Sequence, residues 1–470
     1  MNTHRDFDLI IVGSETEGCL AAIAASRAGA RTALVVPPGK LLGGLLTECG
    51  LAFVDRDSRH LTAPEASPHD GLFGQFLAAA GVPLVSLEAE RGHRTLAEML
   101  SASGVQLIAA AWETLLVEGA HASALRLKGG ETISARHFID ATPDGDLCET
   151  AGIRFVDGFS EYGIDRYLGV SPLPVVRGVR PETIVEACER LAADPALEAL
   201  RVKTFAGRKF LDLDHGPDYI LVGPPHLGLA YQRWREAHGF ETRYPFEADG
   251  FNVAVIGPDA TSWNGLIYFS QDPTTLLRLS REGSDAFFRL EAARFERFLQ
   301  DELGWREARV ALPNGVYVRQ TRHALGTRHR LSLTEIVESR EAGSVGTFCY
   351  YPDFRGFRAV AVPNPLTAHV VLEAGLFHAV RNLGIASRAG GYTPFAHSLC
   401  RLVQYNVTLG TALGVAAALA ERDLGGVPLL EIRAELGRLG ILSDDPTGLE
   451  RNRNALFALR SDPILKLESA

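Results

Sequence analysis

Apolar positions are densest at the start of the chain. Residues 7–12 (FDLIIV) are apolar at nearly every position, which predicts a central parallel strand covered on both faces. Gly13 ends the run. Residues 16–28 follow with good helix formers, and Gly29 supplies a stop. The small side chains of Ala21, Ala22, Ala24 and Ala25 let that helix lie close to a sheet. Thr32–Val36 is again continuously apolar and stops at Pro37-Pro38-Gly39. Strand, tight turn, small-residue helix and strand predict a βαβ unit of dinucleotide-binding type.

Further along, the pattern weakens. Residues 52–92 are polar and rich in Pro, His and Asp, and read as an irregular excursion. Residues 93–104 read as a helix closed by Gly104. Residues 105–141 read as short strands with a hairpin at Lys128-Gly129-Gly130. From 155 to 315, Pro- and Gly-rich turns alternate with strand-like pieces. Two helices stand out there, 181–193 and 284–303, the second with Phe287, Leu290, Phe295, Phe298 and Leu299 at helical spacing. Residues 316–326 read as a returning strand. Residues 399–422 form a long helix with a small-residue face at Gly410, Ala412, Gly414, Ala416 and Ala417. The organisation predicted is an α/β Rossmann-like domain over 1–154, an inserted α+β substrate domain over 155–315, a return of the first domain over 316–425, and a helical tail over 426–470.

Bulk properties narrow the function. The 470 residues are 46% hydrophobic and 22% charged, as in an ordinary globular protein. The net charge of −10 has no basic stripe, which argues against nucleic acid and against an anionic membrane surface. No window approaches the roughly 18 apolar residues of a membrane span. The opening MNTHRDFDLI lacks a signal-peptide pattern. Six scattered cysteines offer neither C-x-x-C nor zinc spacing, and read as packed thiols in a reducing cytosol. A cytoplasmic location, a small-molecule substrate and no bound metal are the expectations. Oligomerisation stays open.

The turn after the first strand carries the chemistry. In a G-x-G-x-x-G turn the first glycine allows the turn, the second leaves room for a diphosphate, and the third lets helix and strand approach. Gly13 and Gly18 hold the first and third places, but Glu15 holds the second. At about 4 Å and an effective dielectric of about 20, two like charges repel by roughly 4 kcal/mol. Glu15 therefore either repels or replaces a phosphate, for instance by capping the helix, or turns to solvent and leaves the seat free. The acid that usually grips the adenosine ribose at the end of the second strand is replaced by Pro37 or Pro38.

Residues 9–50, HFIDATPDGDLCETAGI (137–153), VRQTRHALG (318–326) and RLVQYNVTLGTALGVAAALA (401–420) together resemble a family of FAD-dependent oxidoreductases of the glutathione-reductase-like flavoprotein group. The resemblance spans nearly the whole chain, and from Leu383 to Ala420 it holds without a gap. It implies FAD as cofactor, with Gly13, Ser14, Glu15, Thr16, Glu17 and Gly18 around the diphosphate. Gly43, Gly44 and Leu45 would pass near the flavin and ribityl chain. Ala141, Thr142 and Pro143 would lie by the adenine half, and Ser387 and Arg388 by the ribityl phosphate. Arg401 would face flavin and substrate, or else form a salt bridge within the fold. His397, by its residue type, is a candidate acid–base residue, though a lone histidine in a loop is more often structural. The departures fall on the cofactor surface. The family has glycine at the places of Glu15, Pro143 and Ser387, an acid near Pro37, and a His-Glu pair where Pro394 and Phe395 stand. An oxidoreductase transferring hydride between a polar substrate and FAD is one reading. A relative that has lost FAD, serving as a binding subunit or in redox-neutral chemistry, is the other. The cluster Arg319, Arg322, His323, Arg328, His329 and Arg330 reads as a solvated face or as backbone caps sooner than as an anion site. Asp140, Asp144 and Asp146 read as a strand-end turn.

Overall fold

The computed structural model describes residues 6–55, 71–206, 210–240, 243–247, 249–340, 343–355, 365–445, 448–450 and 468. Its first unit runs β1 (Phe7–Val12), α1 (Thr16–Arg27), β2 (Thr32–Val36), β3 (Gln106–Ala109), β4 (Trp112–Glu118), β5 (His121–Leu127) and β6 (Thr132–Asp140). The strands form one sheet in the order β3-β2-β1-β6-β5-β4, and the late strand Leu383–Ile385 adds to β6. β1, β2, β3, β6 and Leu383–Ile385 are parallel, while β5 runs antiparallel to β6 and β4 antiparallel to β5. Val12 lies opposite Val35 on one side and Asp140 on the other, so β1, β2 and β6 end at one level. The chain leaves β1 toward β2 and comes back on the other side as β6. A crevice at such a reversal of strand order is where open α/β sheets bind ligands.

α1 is buried from Thr16 through Ala25. It lies against the sheet and against the long helix Val403–Leu419, whose glycines permit the contact. A Cβ on Gly414 would fall 2.4 Å from the Ala21 carbonyl oxygen, and one on Gly410 2.9 Å from that of Glu17. This packing fixes the height of α1, so its first turn opens at the crevice.

The second unit leaves through Phe155–Asp157 and returns through Arg322–Ala324. These two strands pair antiparallel as a neck, Asp157 opposite Arg322 and Phe155 opposite Ala324. Beyond the neck stand a six-stranded and a four-stranded sheet and a separate aromatic core that includes Tyr231, Trp263, Phe295 and Phe298. Among the described residues five helices lie between residues 181 and 301, not two: Pro195–Phe205, His226–Ala237 and Pro273–Glu282 join the pair expected. Two of these start at Asp194-Pro195 and Asp272-Pro273, where the aspartate caps the helix and the proline takes its first position. In sequence such pairs look like turns. The helix Ala286–Asp301 also faces differently: Phe288 is fully buried and Leu290 is 50% exposed. The 52–92 excursion contains the helix Gly71–Ala79, with residues 56–70 outside the described part. The tail begins with the helix Leu429–Arg438, and most of the remainder lies outside the described residues. Among the described residues no helix is long and apolar enough to cross a membrane.

The fit of the two helices gives a direct test. Gly414→Ala forces a methyl into the backbone of α1 and should cost about 1–3 kcal/mol in urea unfolding. An unchanged midpoint and slope would show that the helices part freely.

Candidate functional site

The turn between β1 and α1 is built by close approach. Gly13 has φ +129, and a Cβ there would lie 2.2 Å from the Ala141 carbonyl oxygen. A Cβ on Gly18 would lie 2.6 Å from that of Ala141. Ala141 is fully buried beneath both. The end of β6 is then closed by Asp140, whose carboxylate accepts from Thr142 N–H (2.9 Å) and Oγ1 (2.7 Å) and from Cys148 N–H (2.7 Å). Burial pushes the pKa of Asp140 up to about 6. Its oxygens hold a turn, and no group of acids, histidines or cysteines suited to a metal occurs among the described residues.

The loop after β2 is bonded directly onto this turn. Gly43 N–H donates to the Ser14 carbonyl at 2.7 Å, and Thr16 Oγ1 to the Gly43 carbonyl at 3.0 Å. Glu15 points into the same joint. Its Oε2 accepts from Leu45 N–H at 2.8 Å, and a Cβ on Gly44 would fall 2.1 Å from the carboxyl carbon. Gly44 is thus the residue that makes room for Glu15. Glu15 does not turn to solvent, being 9% exposed. It also makes no side-chain bond to its own helix, so it does not cap α1.

A cavity of about 290 Å³ opens at the ends of β1, β2 and β6. Gly13, Ser14, Glu15, Glu17, Pro37, Thr142 and Pro143 form one wall. Lys40, Leu45, Glu48 and Cys49 come from the loop after β2, and Ser280, Arg281, Gly315 and Val316 from the inserted unit. Each cation of the lining has an acid: Lys40–Glu48 at 3.2 Å, Arg281–Asp146 at 2.7 Å, Arg388–Asp144 at 2.8 Å and Arg401–Asp353 at 2.5 Å. Glu15 and Glu17 form no salt bridge among the described residues. Burial raises the pKa of Glu15 against the pull of Leu45 N–H and Arg388. Burial, then the neighbouring Glu15, raises that of Glu17 well above 4.5.

Asp144 is the joint between the two units. It accepts from Ser280 Oγ (2.5 Å), Thr321 Oγ1 (2.6 Å) and Arg388 (2.8 Å), and Arg388 also donates to Ser280 Oγ (2.6 Å). Burial opposes its charge, but Arg388 and the two hydroxyls prevail and hold its pKa below 3.8. Arg401 is clamped by Asp353 and by the Tyr317 hydroxyl.

Of the residues expected at the site, Gly13, Ser14, Glu15, Glu17, Leu45, Thr142, Pro143, Arg388 and Arg401 line the cavity. Thr16, Gly18, Gly43, Gly44 and Ala141 lie behind the wall as its packing. Ser387 is buried and accepts from Ala389 N–H at 3.2 Å, closing its own turn. The structure does not bring His397 to the cavity. Fully buried, its Nε2 donates to the Arg319 carbonyl at 2.9 Å, its ring packs on His323 at 4.7 Å, and burial lowers its pKa well below 6.5. It is a neutral core side chain. The Arg319–Arg330 cluster is not one solvated face. Arg319 is buried on the Gly169 carbonyl and Ser171, Arg322 pairs with Glu149, Arg328 with Asp423 and Arg330 with Glu161. Sequence reasoning missed Ser280, Arg281, Lys40, Glu48 and Trp112 in the lining. No motif marks them, since the fold alone carries them there. None of the six cysteines forms a disulfide, and Cys49, partly exposed where the other five are buried, lies in the lining.

Residues 8–435 match the model of a family described as FAD dependent oxidoreductase. Among solved structures, the chain is similar to a triple mutant of a flavin-dependent brominase at 10% identity, covering 92% of this chain and 84% of that one with TM-score 0.44. It is also similar to a geranylgeranyl bacteriochlorophyll reductase-like protein from Thermoplasma acidophilum, at 10% identity, 98% and 90% coverage and TM-score 0.41. Anhydrotetracycline hydroxylase from Streptomyces rimosus is similar at 13% identity, 98% and 72% coverage and TM-score 0.37.

The lifted pKa of Glu17 has a measurable sign. The folded protein keeps that proton where the unfolded chain has lost it, so stability falls as pH rises from 4.5 through the raised value. Glu17→Gln should therefore raise stability at neutral pH and flatten the decline. A lower urea midpoint for the variant at neutral pH would contradict this.

Proposed function

The chain belongs to the FAD dependent oxidoreductase family, and on that premise we propose that it is a flavin enzyme acting on a small or medium polar molecule by hydride exchange with FAD. The observation that supports this reading is the cavity itself. The nucleotide-type cradle and the inserted unit face one cavity at the ends of the parallel strands.

The backbone suits the cofactor. α1 starts with no side-chain cap on its amides, at a cavity wall, and an uncapped helix start is a seat for a phosphate. Gly13 and Gly18 keep the close approach on which such a seat depends. The obstacle within the seat is Glu15, the end of a flexible side chain, and FAD would need that carboxylate turned aside. Gly13, Ser14 and the first turn of α1 would then hold the diphosphate, with Arg388 supplying charge. Pro37 gives no side-chain acceptor to a ribose, so the hold on the adenosine end is loose. When bound, FAD supplies the hydride acceptor or donor.

The chain's own residues do the rest. Ser280, Arg281, Gly315 and Val316 close the cavity from the inserted unit and limit water. Arg401, fixed on Asp353 and Tyr317, presents a rigid guanidinium suited to an oxygen-rich substrate. A second reading, a relative without FAD that binds a ligand or works without redox change, is favoured by the Glu15–Leu45 hydrogen bond and by Pro37.

Colour decides between the two readings. Purified protein supplied with FAD should hold one flavin per chain, seen by visible absorbance, and a polar substrate added without oxygen should bleach it. Arg401→Lys should retain the flavin but slow bleaching about tenfold or more. Colourless protein that takes up no added FAD would remove the flavin reading.

A further inference from the structure

The turn where a diphosphate would sit is spanned by one of the chain's own side chains. Glu15 reaches from the turn to the loop after β2 and takes Leu45 N–H at 2.8 Å. Its carboxyl group fills the space that a side chain at position 44 would need, and Gly44 adopts φ +45 beside it. The backbone at Glu15 is ordinary, with φ −63 and ψ 155, so the turn does not require a glutamate. The bond to Leu45 is also no helix cap. The carboxylate has a partner on the opposite wall of the seat and none on its own helix. A buried acid with no salt bridge among the described residues is costly to keep charged, and Asp144 nearby adds repulsion.

We propose that Glu15 is a displaceable stopper of the diphosphate seat. In the free protein its carboxylate stands in for a phosphate oxygen at Leu45 N–H and braces the loop onto the turn. FAD enters when that carboxylate gives up Leu45 and turns to solvent. The apparent affinity is then the intrinsic one reduced by the fraction of chains in which the stopper is out. The contact makes the cofactor-free state a stable form of the protein and the cofactor exchangeable. This inference rests on the reading of the chain as a flavin enzyme.

The test uses the full chain freed of flavin, with Glu15→Ala and Glu15→Gln beside it. Affinity for FAD is measured by quenching of flavin fluorescence, and thermal unfolding is followed without cofactor. Glu15→Ala should bind FAD at least tenfold more tightly. Glu15→Gln, which keeps an acceptor for Leu45 but no charge, should fall between it and the parent. The cofactor-free Glu15→Ala protein should unfold at a lower temperature, because Leu45 N–H and the loop lose their brace. Riboflavin, which has no phosphate, should bind the parent and both variants alike. Equal FAD affinity in the parent and Glu15→Ala, both tight, would overturn the stopper and leave the flavin reading in place. A gain in Glu15→Gln as large as in Glu15→Ala would overturn occupation of the seat as the cause. No FAD binding by the parent or either variant would end the flavin reading and the stopper with it.

Discussion

The contact that everything else depends on is the approach of backbone to backbone at the start of α1. Gly13 and Gly18 rest on Ala141 from the turn side, and Gly410 and Gly414 rest on Glu17 and Ala21 from the helix side. A Cβ on Gly13, Gly410 or Gly414 would collide with main chain, and one on Gly18 with the Ala141 Cβ, which the main chain holds in place. Main chain cannot yield as a side-chain tip can, so the site tolerates little but glycine. The result is a helix start pressed into the crevice between β1 and β6, with no cap from the Glu15 side chain and with Glu15 and Glu17 in the cavity lining.

Charge is handled differently on the two sides of that cavity. On the side of the inserted unit, each arginine is matched to an acid within hydrogen-bonding distance, and Asp144 gathers Arg388, Ser280 and Thr321 into one buried knot. Removing one partner from a buried pair typically costs about 3–5 kcal/mol, because the other is left charged and dry. That knot couples the position of the helix Pro273–Glu282 to the turn after β6. On the cradle side the reverse holds. Glu15 and Glu17 are buried and form no salt bridge among the described residues, and burial raises their pKa values against the pull of Arg388. The cradle is therefore the strained side of the cavity, and strain is tolerated at places where a ligand contributes the missing interaction.

The two histidines that chemistry would suggest first lie elsewhere. His323 and His397 pack on each other in the neck region, and burial pushes the pKa of His323 down to about 3. They stay neutral and serve as polar core, with His397 holding the Arg319 carbonyl. Arg319 in turn donates to Gly169 and Ser171 and stacks on Tyr317, the same tyrosine that clamps Arg401. The neck, the four-stranded sheet and the site arginine thus share one set of contacts.

The sequence by itself determined the first βαβ unit, the long small-residue helix and the family, because each rests on local patterns. Continuous apolar runs specify buried parallel strands, and glycines at fixed offsets specify close approach. It also marked Glu15, Pro37 and Pro143 as departures, since a residue type at a motif position is legible without coordinates. Only the tertiary structure decided what those residues do. Glu15 was open to solvent, helix cap or phosphate seat, and its choice depended on Leu45, thirty positions away and set by a loop no periodicity describes. Arg401 and His397 lie four residues apart, yet the first lines the cavity and the second is sealed in the core. The helices after Asp194 and Asp272 hid because a capped start with proline reads like a turn until the chain behind it packs. Ser280 and Arg281 carry no local signal at all. They reach the cavity through the neck and the packing of a separate core, and long-range contact of that kind is not written in the residues that make it.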